Sequence, residues 1–284
     1  MARNSTGSTD GREPGPIYFY PDRNWAGVGQ RAATQPAPEG NCICPAEPLV
    51  SAALMIRLVL FDVDGTLIRT GGAGEKAFDR VCETVFHVKN GTAELNFAGR
   101  TDPAIVRDFF GQHQIEPSAG NFQQFYDSYV FWLDHLLGHS EGWVLPGVWE
   151  MMRDFRALPQ PPLLGLLTGN IRLGAQIKLS HFHLWQYFET GAFGDDHEDR
   201  NQLAVIARER ASRTLSENLD GNQILVVGDT PLDIACGRAI QAKVLAVATG
   251  RYGLKELKPH EPDWAVPTLD QINVKELCRQ SVAG

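Results

Sequence analysis

Four short apolar runs, each closed by a polar or glycine-rich turn, constrain this chain more than any other feature. Ile56–Phe61 runs into Asp62, and Leu163–Leu167 into Thr168-Gly169-Asn170. Ile224–Val227 runs into Gly228-Asp229-Thr230, and Val244–Ala248 into Thr249-Gly250. Runs this short and this nearly continuously apolar suit strands buried on both faces, the condition of a parallel sheet covered by helices. Helical patterns over about 171–180, 200–213 and 232–241 follow these turns, so strand–helix units repeat. The expected class is α/β, with a Rossmann-like parallel sheet core.

Residues from about 75 to 143 break the alternation. Phe122, Phe125, Tyr126, Tyr129, Leu133 and Leu136 recur at steps of three and four, the period of a helix with one apolar face. An apolar stripe packing a helical bundle accounts for these aromatics better than a cofactor box does. The expected organisation is a first core part over 55–74, an inserted all-helical cap over 75–144 and a second core part over 145–284. Leu145-Pro146-Gly147 is the expected exit from the cap.

Residues 1–54 are rich in Gly, Pro, Ser, Asn and Ala and carry no sustained apolar period. Such a stretch has little to bury against its ordering entropy and is expected to be disordered. Met55, at the head of the first strand, is the expected native start. Abundant tail peptides in N-terminal mass spectrometry of protein from the source cells would reject that expectation. Cys42-Ile43-Cys44 has no partner pair at zinc-site spacing, which leaves it as part of a loose tail.

At 284 residues, 43% hydrophobic and 21% charged, the chain has the composition of an ordinary globular protein with a full core. A net charge of −8 argues against a nucleic-acid partner, because phosphate backbones attract basic faces. No apolar run is long enough to span a bilayer, and the first residues lack the apolar stretch of a secretory signal. Five scattered cysteines suit reduced thiols, so the expected location is cytoplasmic and the expected state a monomer or small homo-oligomer.

The chemistry sits at the strand ends, where open parallel sheets bind ligands. Asp62 and Asp64 are two apart, so they lie on one side while the chain stays extended. Asp229 closes a later strand, Asp233 follows it by four residues, and Thr168 closes another. If those strands are neighbours, three or four carboxylates and a hydroxyl converge. Like charges brought that close repel, and a hard cation with oxygen ligands, such as Mg²⁺, relieves the repulsion. A lone Asp at a strand end is more often a cap or turn former. Four such positions together favour a site.

Two competing motifs fail. The D-x-D-G run is not a calcium loop, since its Gly stands at the fourth position and Ala73 occupies the twelfth, where Glu is needed. Gly72-Ala73-Gly74-Glu75-Lys76-Ala77 fits a dinucleotide fingerprint only loosely, with carboxylates between strand and glycines. These glycines are better suited to a flexible hinge into the cap.

Over roughly 56–277 the residues closely resemble the haloacid dehalogenase superfamily of phosphohydrolases. Asp62-Val63-Asp64-Gly65-Thr66-Leu67 resembles its first motif, Thr168-Gly169-Asn170 its second, and Gly228-Asp229-Thr230-Pro231-Leu232-Asp233 its fourth. The helical insert resembles the cap of phosphoglycolate phosphatase and β-phosphoglucomutase relatives. The third motif is a basic residue, usually Lys. Here Arg200 is the best positional candidate and Lys178 the reserve, although Arg200 also reads as a solvated charge beside acids.

The resemblance implies that Asp62 attacks phosphorus and that Asp64 protonates the leaving oxygen and then activates water. It implies Mg²⁺ held by Asp62, the backbone carbonyl of Asp64, and Asp229. Thr168 with the N–H groups of Gly169 and Asn170 would cradle the phosphate, Arg200 would spread its charge, and Asp233 would orient Arg200 or a metal-bound water. Asp64 sets the chain apart from dehalogenases, which typically lack a second Asp there. In the insert, Arg100 and Thr101 are the candidates for reading a substrate carboxylate or second phosphate. The same segment also reads as a helix start capped by Thr101 or Asp102 before Pro103. The expected activity is a phosphatase acting on a small phosphorylated metabolite, phosphoglycolate-like or a sugar phosphate. A sugar-phosphate mutase and a catalytically silent binding domain are the alternatives.

Overall fold

In the computed structural model the chain is described over residues 56–279, all within one compact unit. The loose tail over 1–54, Met55 as a start and the Cys42–Cys44 pair lie outside those residues. The chain opens with β1 (Leu58–Phe61) and a two-residue β2 (Ile68–Arg69). Three helices follow, α1 (Ala73–Thr84), α2 (Asp102–Gln112) and α3 (Ala119–Leu137), and then β3 (Trp143–Val144). Alternation begins after that, with α4 (Val148–Arg156), β4 (Leu163–Leu167), α5 (Arg172–His181), β5 (Thr190–Ala192) and α6 (Arg200–Leu215). It continues through β6 (Ile224–Gly228), α7 (Pro231–Ala239), β7 (Lys243–Val247), α8 (Leu254–Leu257), β8 (Trp264–Val266) and α9 (Val274–Arg279).

The main sheet is parallel throughout and six strands wide, in the order β5-β4-β1-β6-β7-β8. Its inner strands are buried on both faces, which is why they read as unbroken apolar runs. Alternate residues serve opposite faces. Val59, Phe61, Leu164, Leu166, Leu225 and Val227 pack with Met151, Phe155, Leu179 and Leu277 from α4, α5 and α9. Leu58, Leu60, Leu163 and Val226 pack on the other face with Ala204, Ala207, Ala211 and Cys236 from α6 and α7.

Two strands of the main sheet go beyond the four expected from sequence. β5 and β8 are the sheet edges, each three residues long, too short to show a period, and β8 is only half-buried. The expectation of an all-helical segment over 75–144 also needs correction. Its last residues form β3, which pairs antiparallel with β2 through Ile68↔Val144 and Arg69↔Trp143. The first helix begins at Ala73, so Gly74 lies inside it, and the left-handed backbone falls on Gly71 and Gly72 instead.

Helices α1 to α3 bury a core of their own, built from Phe78, Val81, Phe109, Phe110, Phe125, Tyr129 and Leu133. Phe78 sits edge-on to Phe97, Phe125 and Tyr129. At roughly 1.5–3 kcal/mol per fully buried large apolar side chain, packing is sufficient reason for the α3 stripe. Gly147, the last residue of the expected exit turn, has φ 84° and stands directly before α4. A Cβ there would stand 2.0 Å from the Asp270 nitrogen, so only glycine fits. Among the described residues no helix is long and apolar enough to cross a membrane.

Candidate active site

Register alone brings the strand-end residues together. β1 lies between β4 and β6, with Phe61 opposite Leu166 on one side and Val227 on the other. The Asp62 N–H extends that ladder by donating to the Val227 carbonyl at 2.9 Å. Asp62 is therefore level with the ends of both neighbours, and Thr168 and Asp229 follow one residue beyond. They face a cavity of about 850 Å³ between the sheet ends and helices α1 to α3, whose wall includes Phe78, Ile105 and Tyr129.

Asp62, Asp229 and Asp233 are all buried, and each offers a carboxylate oxygen within 4.8 Å of the others. This cluster has the donors to hold a metal ion. Burial and the neighbouring Asp233 charge push the Asp62 carboxyl up to about 7, Arg200 offsetting part of the rise. Burial, with Asp233 and Asp62 beside it, lifts Asp229 well above the ordinary carboxylate range. Asp233 is the most engaged of the three. One of its oxygens takes the N–H and hydroxyl of Thr230 at 2.9 and 2.6 Å, and the other takes Arg200. Asp62 and Asp229 each keep an oxygen with no hydrogen-bond donor among the described residues. Small backbone is needed around Asp229, since a Cβ on Gly65 would stand 2.6 Å, and one on Gly250 1.6 Å, from its Oδ2.

Both basic candidates reach the site, at different carboxylates. Arg200, the first residue of α6, is 7% exposed and spans Asp62 Oδ1 at 3.3 Å, the Leu167 carbonyl at 3.3 Å and Asp233. Burial works against its charge, but Asp233 and Asp62 outweigh that and raise its pKa. Its Nε is buried without a hydrogen-bond partner among the described residues. The reading of Arg200 as a solvated surface charge is thereby overturned. Lys178, on α5, is 5% exposed and donates to Asp64 Oδ2 at 2.7 Å and Asn170 Oδ1 at 2.6 Å.

Other expected residues stand somewhat differently from the sequence reading. The Asp64 side chain lies outside the metal-type cluster and points to Lys178. The Asn170 N–H, expected to face phosphate, donates to Thr168 Oγ1 at 3.3 Å, and the Asn170 amide donates there at 2.8 Å. With its acceptor capacity used, the Thr168 hydroxyl hydrogen is left for a ligand. Gly169 has no room for a side chain, because a Cβ would meet the Arg100 carbonyl at 2.1 Å. Thr101 is a correction: it caps α2, accepting from the Ala104 N–H and donating to the Glu198 carbonyl at 2.9 Å. Arg100 lines the cavity but is paired with Asp108 at 2.5 Å.

Sequence reasoning passed over Thr66, whose hydroxyl donates to Asp229 Oδ1 at 3.1 Å. Its place in the first motif was the available signal. It also passed over Asp102 as a buried carboxylate, which accepts the Ile171 N–H at 2.8 Å. Nothing local to Asp102 shows that burial.

A parallel sheet with carboxylates converging at its central strand ends defines a doubly wound α/β protein with a ligand crevice at the carboxyl edge of the sheet. The family described as haloacid dehalogenase-like hydrolase matches residues 59–247, and the chain belongs to that family. A curated relative named "Putative pyrophosphatase PpaX", from Clostridium perfringens, is 24% identical over 216 residues, covering 75% of this chain and 93% of the relative. Among solved structures, a HAD hydrolase of family IA, variant 3, from Entamoeba histolytica is similar with a TM-score of 0.64 and 18% identity. The likeness covers 80% of this chain and all of that one. A "predicted phosphoglycolate phosphatase" from Haemophilus somnus is similar with a TM-score of 0.58 and 18% identity, over 75% and 95% of the two chains. These likenesses show the fold.

Proposed function

We propose that the protein is a Mg²⁺-dependent phosphomonoester hydrolase that turns over a small phosphorylated metabolite through an aspartyl-phosphate on Asp62. One observation carries the reading: Asp62, held by Arg200, shares its cavity with a second Asp two residues on and with the Thr168 hydroxyl. The names of the relatives, a pyrophosphatase and a phosphoglycolate phosphatase, point to the same phosphate chemistry.

The carboxylate cluster fits a hard divalent ion, since its donors are all oxygen and its charges are buried with insufficient compensation. Asp62, Asp229 and the backbone carbonyl of Asp64 would hold Mg²⁺, which supplies charge neutralisation between nucleophile and phosphate. Asp62 attacks phosphorus and the ester oxygen leaves, taking a proton from Asp64. Asp64 then accepts a proton from the water that attacks the aspartyl-phosphate, which frees inorganic phosphate and restores the Asp62 carboxylate. The Thr168 hydroxyl and the Gly169 N–H bind phosphate oxygens, and Arg200 balances their charge from beside Asp62. Asp233 keeps Arg200 in place. Helices α1 to α3 act as a cap that limits water and selects the leaving group.

The test is phosphate release with Mg²⁺ from p-nitrophenyl phosphate and from a panel holding 2-phosphoglycolate, hexose phosphates and pyrophosphate. Wild type is expected to release phosphate from at least one, and Asp62→Asn to lose at least ~10³-fold. Equal turnover by the two proteins sinks the covalent mechanism. Rearrangement of a hexose phosphate without phosphate release would indicate a mutase, and silence across the panel a binding domain.

A further inference from the structure

The site contains one more basic group than its phosphate chemistry uses. Arg200 already serves the nucleophile, reaching Asp62 and Asp233. Lys178 does something else. It is 6% exposed in its side chain, in an ion pair with Asp64, which is 41% exposed. The ammonium donates to Asp64 Oδ2 at 2.7 Å and to Asn170 Oδ1 at 2.6 Å. The Asn170 amide donates in turn to the same Asp64 Oδ2 at 2.8 Å and to Thr168 Oγ1 at 2.8 Å. The three side chains form a closed ring. Two donors converge on one oxygen of Asp64, and no hydrogen bond among the described residues reaches the other oxygen of this cavity-lining residue.

We propose that Lys178 is the positioning residue for Asp64: with Asn170 it pins one carboxylate oxygen so that the other faces the leaving group of a bound phosphate ester. The proposal rests on Asp64 being the acid and base of the reaction. Its physical basis is that of a catalytic base oriented by a third group. A carboxylate on a loop after a strand has two free side-chain torsions, and holding one oxygen with two charge-assisted or amide donors fixes both. Lys178 comes from α5, which begins just after the Thr168 loop, so the ring also ties the acid to the phosphate-binding turn. The ammonium lies beside the first helix of the insert, where a Cβ on Gly74 would lie 3.5 Å from it.

A residue that acts through Asp64 has a signature that a phosphate binder lacks. Kinetics would be measured with Mg²⁺ for wild type, Lys178→Met, Lys178→Arg, Asp64→Asn and the Lys178→Met/Asp64→Asn double variant. Each would be given an alkyl phosphate and 2,4-dinitrophenyl phosphate, whose leaving group needs no proton. Lys178→Met is expected to lower kcat on the alkyl ester by roughly 10²-fold while KM and inhibition by inorganic phosphate stay within about threefold. On the dinitrophenyl ester the loss in kcat/KM, which reports the steps up to departure of the leaving group and not the shared hydrolysis of the aspartyl-phosphate, should be under about tenfold, and Lys178→Arg should recover part of the alkyl activity. In the Asp64→Asn background, Lys178→Met should cost less than about threefold, because the group it positions is already gone. Additive losses in that cycle, or a weaker grip on inorganic phosphate with kcat retained, would overturn the proposal and make Lys178 a phosphate ligand. Wild-type rates for Asp64→Asn on the alkyl ester would instead sink the role of Asp64 itself. Should Lys178→Met fail to fold by circular dichroism, Lys178→Gln and Asn170→Ala enter the same cycle with the same expected outcomes.

Discussion

Asp102 shows how much a single buried residue records about its surroundings. It begins α2, and its carboxylate accepts the Ile171 N–H at 2.8 Å. Burial drives its carboxyl up to about 7 from an ordinary 3.8, although Lys178 and the Ile171 N–H pull the other way. A folded-state pKa above the unfolded one means that the folded protein holds the proton more tightly. The stabilisation is full below about 3.8 and is lost as pH rises through about 7. Asp102→Asn keeps an acceptor for Ile171 without that loss. Urea unfolding at pH 5 and pH 8 should therefore show the variant gaining on wild type as pH rises, by an amount on the order of a few kcal/mol. A stability difference that is the same at both pH values would remove Asp102 as its source.

Elements matter here chiefly through how closely their connecting loops approach the site. The turn after β7 runs against the end of β6, which is why a Cβ on Gly250 would stand 1.6 Å from Asp229 Oδ2. Arg69, on β2, donates to the carbonyls of Thr249 (2.5 Å) and Gly250 (3.0 Å), so the short ribbon holds that same turn. Gly250→Ala is expected to displace Asp229, cost about 1–3 kcal/mol of stability and abolish Mn²⁺ binding by calorimetry. Gly111→Ala is the control: it lies in α2 with nothing within 4 Å of a new Cβ. It should leave metal binding intact and raise stability by roughly 0.5–1 kcal/mol, the usual helix gain over glycine. Metal binding unaffected in Gly250→Ala would mean that Asp229 does not need this turn.

At the scale of the whole molecule, the buried carboxylates couple folding to the proposed ion. Without a cation, Asp62 favours its protonated form up to about 7, so at pH 8 it is a carboxylate that burial and the neighbouring Asp233 charge disfavour. An ion that binds only the folded protein stabilises it by mass action, about 2.7 kcal/mol at a hundredfold excess over Kd. Mg²⁺ is therefore expected to raise the Tm of chelator-treated protein more at pH 8 than at pH 5, and Asp229→Asn should flatten the response. Equal responses in the two proteins would place the ion elsewhere.

The α/β class was legible in the amino-acid order because buried parallel strands must be apolar along their whole length, which Leu58–Phe61 and Ile224–Gly228 are. So was the placement of Asp62, Thr168 and Asp229 at strand ends, since each directly closes an apolar run. β5, β8 and the β2–β3 ribbon left too few residues to show a period. In sequence Thr101 fits both a substrate contact and a helix cap, and only its hydrogen bonds make it the cap. The pairing of Lys178 with Asp64 joins residues 114 apart, and no local pattern encodes it. Periodicity and turn chemistry act between near neighbours, so the sequence by itself determined the elements and the residues that end them. Which basic group meets which carboxylate depends on β4 and β6 flanking β1, and only the tertiary structure decides that order.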